Sequence, residues 1–145
     1  MKNIIIVLAL LLTLGCATTI NGNTKTLKLI KAESQSYVLG KEMSNGKTSG
    51  TAYSIYFENK IDVKVEKVWI NKINIDFEQV KTSESGSFRI RSTFYGGTKS
   101  NQHPGVKTPI EYEGAALIQY AENSEIKYFI VKEFKAYQKS DVNYK

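Results

Sequence analysis

Residues 64–77 read KVEKVWINKINIDF, and the alternation in this stretch decides the fold. Val68 and Ile70 fall on one face of an extended chain, while Trp69 lies opposite with Val65 and Lys67. Asn71 and Lys72 then separate this run from Ile73, Ile75 and Phe77, which alternate with Asn74 and Asp76. A period of two on both sides of a two-residue break is the pattern of a β-hairpin, because successive side chains of a strand point to opposite faces. No helical period of 3.6 fits it.

The same period recurs outward in both directions. TLKLIKA (26–32) sets Leu27 and Leu29 together, and SYVLGKE (36–42) pairs Tyr37 with Leu39. The glycine-rich SNGKTSG (44–50) is turn chemistry. TAYSIYFEN (51–59) puts Tyr53, Ile55 and Phe57 on one face, and Ser54 and Tyr56 on the other. SFRIRSTFY (87–95) opposes Phe88, Ile90 and Phe94 to Arg89 and Arg91. AALIQYA (115–121) and IKYFIVKEF (126–134), joined by ENSE (122–125), read as a second hairpin. These segments predict an all-β domain over 26–138, an antiparallel β-sandwich of about eight strands, immunoglobulin-like in outline. A small closed barrel is the alternative. Residues 139–145 read as a frayed tail.

The amino-terminal end has different chemistry. Lys2 precedes an unbroken apolar block, Ile4 to Leu12, too short for a membrane-spanning helix, which needs about 20 residues. It has the proportions of a signal-peptide core. In NIIIVLALLLTLGCATT (3–19) that core ends at Gly15 and Cys16, the only cysteine of the chain. This arrangement resembles the lipobox of bacterial lipoproteins. The resemblance covers residues 1–16 and departs from the usual pattern at Thr13 and Leu14. It implies a signal peptide over 1–15, cleavage between Gly15 and Cys16, and acylation of Cys16 by palmitate-type chains. An anchored protein follows, because several acyl chains hold a protein on a membrane durably where one does not. Residues 16–25 read as a short polar tether.

In organisation the chain is similar to small β-rich lipoproteins of Bacteroidetes-type genomes, with YSIYFEN (53–59) and VEKVWINKINIDF (65–77) its most distinctive parts. That likeness brings no activity, catalytic residue or ligand. Ala17 follows Cys16, instead of the Asp associated with inner-membrane retention, and no acidic run follows. The expected address is therefore the cell envelope, on the periplasmic face of an outer membrane.

Composition narrows the function classes. The net charge is +6, or +5 once Lys2 leaves with the leader. Such a balance raises nucleic-acid binding in a cytosolic protein, and export argues against it. A basic body held at a bilayer meets anionic headgroups; the plainer reading is a lysine-rich soluble surface.

Chemistry is sparse. His103, the only histidine, stands before Pro104 in a polar loop, with no marked nucleophile or orienting carboxylate. One histidine and one acylated cysteine do not make a zinc site. No cofactor motif is present, and the expectation is a non-enzymatic binding or accessory subunit that meets an envelope protein.

The alternative is a glycan or small-ligand module. Nine tyrosines, six phenylalanines and one tryptophan spread over the strands fit a stacking platform. They fit a two-sheet core with tyrosines at its rim at least as well, since strands favour aromatics. If a platform exists, the candidates are Trp69, Tyr56 and Tyr95, near Arg89 and Arg91. The long loop 96–109, carrying Lys99, His103 and Lys107, completes that surface.

Overall fold

Asn71 and Lys72 both adopt positive φ, 49° and 66°, which is the twist a two-residue hairpin turn needs to match its flanking strands. The turn joins β3 (Lys64–Ile70) to β4 (Ile73–Ile75) and pairs Ile70 with Ile73 and Trp69 with Asn74. Asn123 and Ser124 repeat the device, with φ of 50° and 66°, between β8 (Ala116–Glu122) and β9 (Glu125–Val131). Both predicted hairpins are therefore present. The computed structural model describes residues 27–38, 49–59, 62–82, 86–95 and 101–137.

The remaining strands are β1 (Leu27–Val38), β2 (Ser49–Asn59), β5 (Phe77–Lys81), β6 (Ser87–Tyr95), β7 (Gln102–His103) and β10 (Lys135–Ala136). They form two five-stranded sheets: sheet I in the order β10-β1-β2-β6-β5 and sheet II in the order β7-β4-β3-β8-β9. Among the described strands only β10, parallel to β1, departs from antiparallel pairing. Leaving aside β7 and β10, β1-β2-β6-β5 facing β4-β3-β8-β9 is the immunoglobulin arrangement A-B-E-D against C′-C-F-G. The architecture is a sandwich, with open edges where a barrel would close.

Three elements differ from the sequence expectation. A break is expected between strands at 26–32 and 36–42, but residues 27–38 form one strand, because Ala32 to Tyr37 continue in register against Ile55 back to Gly50; residues 39–42 lie outside the described residues. A register shift between Leu29 and Lys31 restores the inward phase, so that Leu27 and Ala32 both reach the core. The strand expected over 73–79 breaks at Asp76 and changes sheets: β4 pairs β3, whereas β5 pairs β6. Ser92 Oγ stabilises the crossing by donating to Asp76 O at 2.7 Å.

The third difference is in the opening stretch itself. A register shift lies between Val65 and Lys67 of β3. With one extra residue inserted, strand phase reverses, so Val65 joins Val68 and Ile70 in the inter-sheet core and does not lie with Trp69. Gln79 of β5 spans the sheets to serve the distorted backbone. Its Oε1 accepts from Val65 N and its Nε2 donates to Val63 O, both at 2.9 Å.

The core between the sheets is built from Leu27, Ile55, Phe57, Val68, Ile70, Ile75, Ile90, Ile118, Tyr120 and Phe129 among others. Phe57 stacks on Phe88 at 5.3 Å and meets Phe129 edge-on at 5.0 Å. At one end, the buried Glu122 carboxylate is paired with Lys127 of the same hairpin.

A second, smaller cluster lies outside sheet II. The segment 104–114 lies as a strap over its outer face, bringing Val106, Ile110 and Tyr112 onto Trp69, Leu117, Tyr128 and Ile130. Satellite clusters of this kind form under long loops. Two bonds fasten the strap: Trp69 Nε1 donates to Val106 O at 3.0 Å, and Lys72 N donates to the Tyr112 hydroxyl oxygen at 3.2 Å.

Candidate functional site

The outer face of sheet II lies under its strap, whereas among the described residues no segment crosses the outer face of sheet I. The pairing of β1, β2, β6 and β5 aligns side chains across it in rows. One row is Lys31, Tyr56, Arg89 and Val80; the next is Glu33, Ser54, Arg91 and Glu78. These are outward positions because the alternate residues Ala32, Ile55, Phe88 and Ile90 are committed to the core.

Tyr56 is the centre of the first row. Lys31 Nζ lies 4.6 Å from its ring centroid on one side, and the Arg89 guanidinium carbon 5.6 Å on the other. Arg89 also donates from Nη1 to the Tyr56 hydroxyl at 3.3 Å. Cations over a tyrosine face are held by the ring quadrupole, at about 0.5–1 kcal/mol each where exposed.

Carboxylates on this face are already engaged. Lys28 pairs with Glu58, Lys31 with Glu33, and Arg91 stands 4.0 Å from Glu78. Arg89 differs. It is half-buried, it has no carboxylate partner among the described residues, and its Nε is buried with no acceptor. A guanidinium presents a planar fork matched to a carboxylate or phosphate. Here one prong of that fork faces no partner.

Tyr95 lies on the same face near its far end, in a row with Gly50 and Tyr37. The Tyr37 ring passes over Gly50, where an added Cβ would stand 2.6 Å from the Tyr37 hydroxyl oxygen. Burial first, and then repulsion from the neighbouring Tyr95 phenol, raise the Tyr37 pKa. The Tyr95 backbone is pinned from the side, its N–H donating to Asn101 Oδ1 and its carbonyl accepting from Gln102 Nε2.

The residues expected to form one surface are thus divided. Tyr56, Arg89, Arg91 and Tyr95 do share a face. Trp69 does not: it is 1% exposed, because alternation with Val68 and Ile70 sets it on the outer side of sheet II, where the strap covers it. Lys107 is exposed on that strap, on the opposite side of the sandwich from Arg89. His103 belongs to β7 and bonds Asp76 Oδ1 at 2.8 Å, both side chains largely exposed. Gly15, Cys16 and Lys99 lie outside the described residues.

Lys31 and Tyr37 are functional candidates that sequence reasoning passed over. The bulge at Ile30 sets the register that brings Lys31 opposite Tyr56, and nothing in LKLIKA marks it. A second concavity, a cleft of about 860 Å³, opens beside the strap between Lys72, Glu111, Glu113 and Lys132, with Tyr112 and Ile130 in its wall. Charges of both signs line it, and no histidine does. Among the described residues no three potential metal ligands converge.

In comparison with known proteins, the chain matches no family model, no curated protein and no solved structure.

Proposed function

We propose that this chain is a lipid-anchored, non-enzymatic binding module of a bacterial cell envelope, which holds an anionic group on the outer face of sheet I. The observation that carries the reading is Arg89. A half-buried guanidinium with no carboxylate partner among the described residues is unfavourable in the free protein, and an incoming oxyanion at its accessible edge supplies the missing counter-charge. Tyr56 and Lys31 flank it with a ring face and a second cation. The tether from Cys16 places such a surface near membrane headgroups or the glycans among them, on the periplasmic side of an outer membrane.

The glycan alternative keeps a specific support in Tyr56, half-buried on this face, and loses Trp69. The shared chemistry of both ligands is a phosphate or carboxylate. Titrating the lipidated protein in neutral-lipid nanodiscs separates them, with glycerol phosphate as one probe and an oligouronide as the other. Saturable binding of either, weakened at least tenfold by Arg89→Gln, is the expected result. Binding equal in wild type and Arg89→Gln would remove this site from consideration.

A further inference from the structure

We propose that β9 is a self-association edge, along which two copies of this chain pair antiparallel about a two-fold axis at Tyr128, joining their sheets II into one. Among the described residues no strand pairs with the far side of β9. An uncapped strand edge presents a row of N–H and C=O groups to any chain that matches it.

The hairpin register fixes which groups these are. Glu122 and Glu125 flank the two-residue turn and exchange hydrogen bonds. Bonded and non-bonded pairs alternate along an antiparallel ladder, so Lys127 and Phe129 direct their backbone groups to β8. Ile126, Tyr128 and Ile130 direct theirs outward. The same three side chains stand on the outer face of the sheet, opposite Ala121, Gln119 and Leu117, and Ile126 is 46% exposed. Ile126 therefore offers backbone groups and an exposed apolar side chain together, while Tyr128 and Ile130 offer backbone groups beside side chains packed partly under the strap.

Two-fold pairing keeps the faces of the sheets aligned, and few registers satisfy it. Centred on Tyr128, Ile126 of each copy meets Ile130 of the other and the two Tyr128 meet each other. All of β9 overlaps, every outward backbone group is paired, and no like charges face. Centred on Lys127, two ammonium groups oppose one another. Shifted the other way, Glu125 meets Glu133. Inward-pointing charge on an edge strand guards against such pairing, but the Lys127 ammonium is already held by Glu122. The edge at β5 is less suited, since Glu78, Gln79 and Lys81 replace the aliphatic residues there. A second copy of the chain is thus the occupant that β9 fits.

The test uses the full chain with single cysteines at β9 under mild oxidation, the parent with Cys16 alone serving as the blank. Cα atoms of a hydrogen-bonded antiparallel pair are about 5.5 Å apart, within disulfide range. Tyr128→Cys is expected to cross-link copies rapidly. Glu125→Cys, whose counterpart would lie about 20 Å away along the strand, is expected to stay at the blank level. Ile126→Pro removes an outward N–H that β8 does not use, so the sandwich keeps its circular dichroism while the dissociation constant from sedimentation rises at least tenfold. Equal cross-linking at both positions, or a folded Ile126→Pro chain with unchanged self-association, would overturn the proposal. So would slow hydrogen exchange of the 126, 128 and 130 amides in a monomer, which would show that another part of the same chain occupies the edge.

Discussion

Trp69 is the candidate residue at which sequence and structure part company. Trp69 looked available because it opposes Val68 and Ile70, and an exposed aromatic among tyrosines is a natural platform. Its indole instead lies under the strap and donates to Val106 O, a cover that no local pattern announces because it comes from 37 positions downstream. Replacing Trp69 by Phe removes that donor and leaves a carbonyl unpaired, at a cost of about 1–3 kcal/mol. Denaturant melts should show that loss, and limited proteolysis should cut first within 104–114. Tyrosine ionisation gives a second test. Burial raises the pKa of Tyr37, Tyr53 and Tyr112 above 10.0, with a lowering hydrogen bond from Thr51 opposing it at Tyr53 and one from Lys72 N at Tyr112. A raised folded-state value means that the unfolded chain releases these protons first, so stability is intact below pH 10 and falls as pH rises through the folded values. The melting temperature should drop across that window, and less steeply in Tyr112→Phe relative to its own value at neutral pH.

At the scale of elements, alternation located every long strand except where the backbone shifted phase. Both hairpins were legible from two-residue breaks between period-two runs. The bulges beside Ile30 and Glu66, and the sheet change at Asp76, were not, because each depends on pairing with a distant strand. Their consequences were large: the first aligned Lys31 with Tyr56, and the second separated Trp69 from Val65. Deleting Glu66 would restore strict alternation through β3 and turn either Val65 or the Val68–Ile70 pair out of the core. Burying a valine is worth about 1.5–3 kcal/mol, so a loss of at least that size is expected in denaturant unfolding. Ser92→Ala probes the sheet change. It strands the Asp76 carbonyl and should cost about 1–3 kcal/mol, with thermal unfolding as the readout. In the β8–β9 hairpin, Lys127→Met leaves the Glu122 carboxylate buried without its partner. A cost of about 3–5 kcal/mol is expected, and Glu122→Gln in the same chain should recover part of it.

For the whole molecule, the sandwich and its immunoglobulin strand order follow from pairing, and its two outer faces have different fates. One is covered by the chain's own connection between β6 and β8. The other is uncovered among the described residues and collects Lys31, Tyr56, Arg89 and Arg91. Half of the sequence-expected surface was therefore legible, the half that alternation alone places on β2 and β6. The other half required knowing where the 101–115 connection goes. The proposed function adds an anchor at Cys16. Cys16→Ala should abolish fatty-acid labelling and membrane retention in the native host, while leaving the sandwich folded. The central claim, however, is that the open face binds an anion through Arg89. Calorimetric titration of the lipidated chain in neutral-lipid nanodiscs with glycerol phosphate tests it most directly, alongside Arg89→Gln and a control, Lys107→Gln, on the strap at the opposite side of the sandwich. Saturable binding that Arg89→Gln weakens at least tenfold and Lys107→Gln leaves unchanged is the expected result. Binding lost equally in both variants, or absent from the wild-type chain for glycerol phosphate and oligouronide alike, would contradict it.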